Sequence, residues 1–441
     1  MSDAAILSRR QTRAGSALRR LLALLLGTLA LISDPAFAEE SDSQWPLVRE
    51  IAFRGNDVTQ PHVMEREIGV RVGDPADPAA IERSRQAILD LGLFRAVDAI
   101  QEPLADGVRL VFVVTEKWYL LPYPRLSANS DGQDAIGAEL RWNNVGGLNH
   151  SLRMLVSSAD RRDEGRGRQL GYLASYRAPF IFDTPYTLGL SGSHATTPVD
   201  LEAGASYDEI IDEAQMLVSR KFGAAGAASQ GWNAGAGLLW RSQNTDGAGV
   251  GVPAPWGDTY AVVTQLGYRD EHDRVYSEVG TLFGARYEYA AGNVLSDYGY
   301  SRLTGHFKYA RPLGATPHQT VEFSGELGTA NGGRSETPPY SLGGTQGLRG
   351  YARGSFEGNA YYLVSASYLR PLGWDWLRLV ATVEAGNVYD EADQVDAQVR
   401  WSFGLGLRVR VPRLVGVEIE AGIALPLSND SARFYGYRSG L

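Results

Sequence analysis

Val399-Arg400-Trp401-Ser402-Phe403-Gly404-Leu405-Gly406-Leu407-Arg408-Val409-Arg410 has a period of two. Its odd-numbered residues are all large and apolar; its even-numbered ones are small or charged. Side chains of a strand point alternately to two faces, so the stretch is a strand with one apolar and one polar face. A half-buried strand of a soluble sheet gives the same local pattern, and repetition separates the two cases. From Trp118 to the chain end the alternation recurs between turns, and roughly sixteen candidate strands can be counted. That predicts a membrane all-β fold, an antiparallel transmembrane barrel over 118–441 with its apolar face to lipid and its polar face to a wet lumen. Closure is a physical need, because a strand edge facing hydrocarbon leaves backbone groups unpaired.

The N-terminus explains how such a chain reaches a membrane. Arg9, Arg10, Arg13, Arg19 and Arg20 precede the short apolar run Leu21 to Ile32, and Ala36-Phe37-Ala38 supplies a small-residue cleavage site. Residues 1–38 therefore read as a secretory signal peptide. Removing them takes away five Arg and two Asp and moves the net charge from −9 to −12. That acidic balance predicts no nucleic-acid partner. Cysteine is absent, which excludes a disulfide framework and thiolate chemistry.

Residues 46–117 read as β-α-α-β-β, a small α+β domain. Leu47 to Phe53 is a strand; Thr59 is placed to cap a helix through Ile68. Asp77-Pro78 opens a second helix, with Asp77 as cap and Pro78 at the first position. Gly92 ends it, and Asp106-Gly107 joins two further strands.

The connections beyond Trp118 alternate in length. Gly223 to Ala228, Pro312 to Pro317, Pro371 to Trp374 and Pro412 to Leu414 are short. Asp160 to Arg168, Thr196 to Asp208, Asn244 to Gly257 and Asn331 to Gly358 are longer. The first barrel strand follows the small domain directly, so the short turns share its side of the membrane. The longest loop, on the other side, carries Ser341-Leu-Gly-Gly-Thr-Gln-Gly-Leu-Arg-Gly-Tyr351. Tyr287, Tyr289, Phe307, Tyr309, Phe434, Tyr435 and Tyr437 are candidates for interfacial aromatics.

This loop stretch resembles the Leu-Arg-Gly-Tyr/Phe signature of the BamA/TamA-type outer-membrane superfamily, the bacterial surface antigen family. The domain at 46–117 resembles the POTRA domain of that family. Leu140 to Gly147, Tyr368 to Leu372, Val383-Glu-Ala-Gly-Asn-Val388 and Phe403 to Pro426 resemble its other segments. The resemblance implies a barrel in the bacterial outer membrane, with one POTRA domain in the periplasm. It also implies outer-membrane lipids and unfolded polypeptide clients as partners, with periplasmic chaperones or lipoproteins as further ones. The implied function is insertion or translocation of polypeptides. The alternative is a passive channel or surface receptor with a vestigial POTRA domain.

In the family the loop arginine enters the lumen and meets the acidic residue of a later strand. Carried over, Arg349 meets Glu384, with Gly343, Gly344, Leu348, Gly350 and Tyr351 shaping the loop and Gly386 following on the strand. Guanidinium and carboxylate can pair bidentately; in a hydrated lumen the pair is worth about 0–1 kcal/mol. Two departures stand out. The family's aromatic two residues before the acid is here Thr382, which predicts looser loop packing. The chain ends on Leu441 rather than an aromatic residue. Tyr435, Gly436, Tyr437 and Gly440 lie on the last strand, where the glycines weaken pairing and mark a labile seam with the first strand.

No enzyme is readable. Among six His none has i, i+4 spacing on a helix, so no metal site is predicted. Glu271-His272-Asp273 reads as a polar periplasmic turn, and His306 as lumen lining beside Arg302, Thr304 and Lys308. Ser191 lacks the nucleophile-elbow pattern, and Gly247 to Gly251 lacks a phosphate-loop Lys. No cofactor is predicted.

Overall fold

The computed structural model describes residues 45–128, 133–161, 166–200, 206–222, 227–247, 251–292, 295–332, 340–344, 347–390, 398–427 and 431–439. The segment read as a signal peptide and Gly440 lie outside them, as does the side chain of Tyr437.

The N-terminal part is a three-stranded sheet with two helices. Strands β1 (Val48–Arg54), β2 (Phe94–Leu104) and β3 (Gly107–Glu116) lie in the order β1-β3-β2, with β1 parallel to β3 and β2 antiparallel to it. Helix α1 spans Pro61–Glu65 and α2 spans Pro78–Leu89. Val63, Met64, Ile88, Leu93, Phe94, Leu110 and Phe112 fill the space between sheet and helices. Asp77 caps α2 as expected, its carboxylate accepting the amides of Ala79 and Ala80 at 3.1 Å each. Thr59 does not cap α1. Its amide and hydroxyl both donate to Glu116 Oε1, at 2.7 and 2.6 Å, so α1 lacks a side-chain cap and stops after five residues.

Sixteen strands form one sheet in chain order. The first eight are β4 (Leu120–Ala128), β5 (Gln133–Val145), β6 (His150–Arg161), β7 (Arg166–Ala178), β8 (Tyr186–Asp200), β9 (Ser206–Phe222), β10 (Gly231–Asp246) and β11 (Gly257–Asp273). Then come β12 (Glu278–Ala290), β13 (Tyr300–Pro312) and β14 (Thr320–Gly332). The long loop carries a small hairpin, β15 (Tyr340–Leu342) and β16 (Phe356–Gly358). The sheet resumes with β17 (Ala360–Pro371), β18 (Leu377–Tyr389), β19 (Arg400–Arg410), β20 (Glu418–Pro426) and β21 (Arg433–Ser439). Leu405, Leu407, Ile423 and Leu425 are exposed on the outer face. Arg408 and Glu420, pointing inward, are buried. This is the membrane all-β barrel that the alternation predicts. No described helix is long and apolar enough to cross a membrane; the strands do that work.

Some strands outrun the reading. β8 and β9, expected to leave a loop from Thr196 to Asp208, continue to Asp200 and resume at Ser206, with Thr196 opposite Ile210 and Val199 opposite Tyr207. β9 and β11 reach 17 residues, well beyond the roughly 9–11 that cross a bilayer. Past the lipid no apolar outer face is needed, so polar and proline-containing sequence stays in the ladder while looking like loop.

The small domain sits against the periplasmic turns. The amide of Gln60 donates to Gly147 O at 2.9 Å, and Asn144 Nδ2 donates to Thr59 Oγ1 at 2.8 Å. Gly147 has φ +74°, and a Cβ there would lie 2.1 Å from Val58 O, so only glycine allows this approach. Arg66 lies over the Phe180 ring at 4.2 Å, and Glu67 Oε2 accepts the Ser229 amide at 2.7 Å. Glu271-His272-Asp273 is not a free turn but the end of β11. Asp90, just past α2, accepts the Asp273 amide at 2.8 Å and lies 2.8 Å from His272 Nδ1. The sequence hides this contact because its halves lie more than 180 residues apart.

β4 and β21 end the sheet order and flank the seam; among the described residues no ladder joins them. Nearby, Trp118 bridges to the β19–β20 turn, its amide donating to Arg413 O at 2.8 Å. Proline is tolerated in a ladder where its nitrogen faces away from the partner strand. Pro122 and Pro124, two residues apart and both paired against β5, thus leave the seam edge of β4 short of two donors. Phe434 is 86% exposed on the outside, whereas Tyr435 is buried. Tyr435 therefore belongs to the lumen and not to an interfacial aromatic belt.

Candidate functional site

The loop between β14 and β17 folds into the lumen because its backbone takes conformations that few residues allow. Gly343 has φ +124°, and a Cβ on it would lie 1.9 Å from Ala352 O. Its amide donates to Gly347 O at 2.9 Å, and that of Gly344 to Tyr351 O at 3.0 Å. Leu348 takes φ +58° and is fully buried with Leu342 and Leu363, while Tyr351 and Phe356 pack beside them. This apolar knot compensates for the unfavourable Leu348 backbone and presents the next residue, Arg349, to the wall.

Arg349 meets Glu384, though not as a bidentate side-chain pair. Its backbone amide donates to Glu384 Oε2 at 2.7 Å, while its Nε lies 3.4 Å from Oε1. Its Nη1 reaches a second carboxylate, Glu420 Oε1 on β20, at 3.4 Å. The Gly350 amide donates to Ser402 Oγ at 2.7 Å. A Cβ on Gly350 would lie 2.4 Å from Pro426 N, so the loop lies directly on β19 and β20. Gly386 likewise has no room, with Tyr362 O 2.5 Å from its missing Cβ. The pair is drier than expected: Glu384 and Glu420 are buried. A value near zero no longer applies, and removing one member of such a pair costs about 3–5 kcal/mol.

The aromatic ring missing at position 382 comes from elsewhere. Thr382 is buried and hydrogen-bonded to Ser367 at 2.8 Å, so the wall is not looser there. Tyr435 on β21 lies under the Arg349 guanidinium, 5.2 Å from ring centroid to Cζ, and donates to Glu420 Oε1 at 3.1 Å. It crosses Gly404, Gly406 and Gly422, whose missing Cβ atoms would lie 3.5, 2.6 and 2.8 Å from its hydroxyl. Glycines that weaken strands are thus covered by an aromatic side chain. Glu420 is also held by Arg408, whose Nε donates to Oε2 at 2.7 Å. Sequence reasoning missed Glu420, Tyr435 as a lumen residue, and Ser402. Their only local signal was an inward position on alternating strands. Among the described residues no group of three or more His, Asp or Glu could hold a metal ion.

The site is thus an inward loop clamped by carboxylates, beside a seam, above a small periplasmic α+β domain. A family model described as the Omp85 superfamily domain matches residues 144–433. The chain belongs to the Omp85 superfamily. A second model, POTRA, described as a surface antigen variable number repeat, matches residues 46–117 of this Omp85 chain. The chain is 38% identical over 91 residues to the outer membrane protein assembly factor BamA of Nitratidesulfovibrio vulgaris, a match covering 20% of this chain and 11% of that protein. Among solved structures, BamA from Haemophilus ducreyi lacking POTRA domains 1–3 is similar at 17% identity, covering 92% of this chain and 88% of that one, with a TM-score of 0.51. CdiB from Escherichia coli is similar at 12% identity, over 97% of this chain and 98% of that one, with a TM-score of 0.56. These likenesses are of fold. The Omp85 barrel sits in the outer membrane with its POTRA domain in the periplasm.

Proposed function

We propose that this Omp85 chain inserts polypeptides into the outer membrane or translocates them across it, its clients being unfolded chains delivered from the periplasm with or without chaperone or lipoprotein partners. The observation that carries this reading is the seam. A β4 edge short of two donors is a poor permanent partner for β21 and leaves acceptors for an incoming strand. The open outer edge of β2 supports capture of extended segments by strand addition. The name of the Nitratidesulfovibrio relative, an assembly factor, agrees with this reading.

The Arg349 loop serves here as the brace of that seam. Through Glu420 and Tyr435 it ties the long loop to the last two strands, so loop position and seam state are linked. In this reading Gly343, Gly344, Leu348, Gly350 and Tyr351 shape the brace, Gly386 lets β18 pack closely on β17, and Gly436 weakens the pairing of β21.

The chain has no cysteine, so a seam lock can be engineered cleanly. One cysteine within Pro122 to Leu126 and one within Tyr435 to Tyr437, oxidised in cells, should reduce the client proteins in the outer membrane as a deletion does. Reduction of the disulfide should restore them. Full client levels with the seam locked would sink the reading. Ion conductance with no change in outer-membrane proteins on deletion would favour the channel alternative.

A further inference from the structure

Below the Arg349 brace lies a lumen cavity of about 360 Å³. Five of its lining side chains are Lys or Arg and three are Glu. The acids are already engaged. Glu278 holds Lys308 at 2.8 Å and Arg410 at 3.1 Å. Glu322 holds Arg408 at 2.9 Å. Glu418 is shared, 3.4 Å from Arg378 and 3.5 Å from Arg408.

Arg378 is therefore left short. It is 1% exposed, yet its Nε and Nη1 have no hydrogen-bond partner among the described residues. Its direct cross-strand neighbour is Arg408, an opposition of like charges that is unfavourable by itself. A buried guanidinium has five donors in a planar fork that matches an oxyanion. Glu418 takes Nη2 at 3.4 Å; among the described residues nothing takes Nε or Nη1.

We propose that Arg378 is the centre of an oxyanion-binding site in the lumen, taking a phosphate or carboxylate group. Arg408 flanks the anion on the adjacent strand, and Ser365 and Ser367 line the same cavity. Gly416 and Val417 of the β19–β20 turn form its periplasmic side, and Arg349 its extracellular side. An anion here neutralises the Arg378–Arg408 repulsion and touches both the brace and the β19–β20 turn, whose Val415 packs against the core of the POTRA domain. The site does not depend on the function proposed above.

The test uses the purified full chain in detergent micelles. Calorimetric titrations with inorganic phosphate and with succinate, at ionic strength fixed with chloride, distinguish the phosphoryl from the carboxylate source. Saturable one-to-one binding of at least one probe is expected. Arg378→Gln should weaken it tenfold or more, and Arg95→Gln, an exposed POTRA position, should leave it unchanged. If Arg378→Gln does not fold, Arg378→Lys keeps the charge without the fork and should still weaken binding several-fold. No saturable binding of either probe overturns the proposal, and so does an Arg378 variant that folds and binds like the parent protein.

Discussion

Arg349 holds its place through two kinds of contact, and they predict different mutational outcomes. Its amide on Glu384 survives any side-chain change, whereas its guanidinium over Tyr435 and beside Glu420 does not. Arg349→Ala should therefore leave the loop partly seated but two buried carboxylates undercompensated, destabilising the folded barrel by about 3 kcal/mol. The temperature at which the barrel loses its heat-modifiable gel mobility should fall. The exposed loop residue Arg353 should tolerate alanine without a measurable shift. Gly350→Ala attacks the other contact. Its added methyl meets the β20 backbone at 2.4 Å, so the loop must lift, at a cost of about 1–3 kcal/mol for overpacking. Protease accessibility at Arg353 should rise in this variant even though every charge is intact. The Arg349–Glu384 juxtaposition was legible through the family resemblance, because the loop motif and the later strand motif each carry one of the pair. Glu420 was not, since nothing local says which inward carboxylate two strands away will be within reach.

At the scale of the element, the seam strand β4 is defined by Pro122 and Pro124. Restoring two donors to its edge with Pro122→Val and Pro124→Val should strengthen pairing with β21, each regained backbone bond contributing about 0.5–1.5 kcal/mol. The double variant should unfold at a higher temperature and, if the seam must open, handle clients more slowly. Higher stability with unchanged client levels would separate the seam from the activity. Strand existence was readable throughout because a lipid-facing strand must be apolar on every second residue. Strand length was not. Beyond the bilayer the outer face of β8 and β9 meets water, the alternation lapses, and Thr197-Pro198-Val199-Asp200 looks like loop while remaining paired.

For the whole molecule the decisive contact is the one between the POTRA domain and the barrel. Burial pushes the Glu67 carboxyl above its ordinary range despite the Ser229 amide it accepts. A raised pKa means that the docked state binds the proton more tightly. Docking is then strongest below the ordinary carboxylate pKa and weakens as pH rises through the raised value. Spin labels placed on the POTRA domain and on the barrel should report a closer, narrower distance distribution at acid pH, and Glu67→Gln should hold the close distance at neutral pH. An identical pH response in the parent and in Glu67→Gln would exclude Glu67 as its source. Gly147→Ala should loosen the same interface at every pH, because its methyl collides with Val58 O.

The roughly sixteen strands, each with an apolar outer and a polar inner face, follow from the chain alone. They follow because lipid outside and water inside impose a period-two rule on every crossing strand, and that rule is local. Tertiary structure alone decided that Tyr435 lies under the Arg349 guanidinium, that His272 meets Asp90, and that Nε and Nη1 of Arg378 are left without partners among the described residues. Each of these joins residues distant in the chain or on separate strands, where barrel curvature and register, not any nearby residue, set what lies within 4 Å.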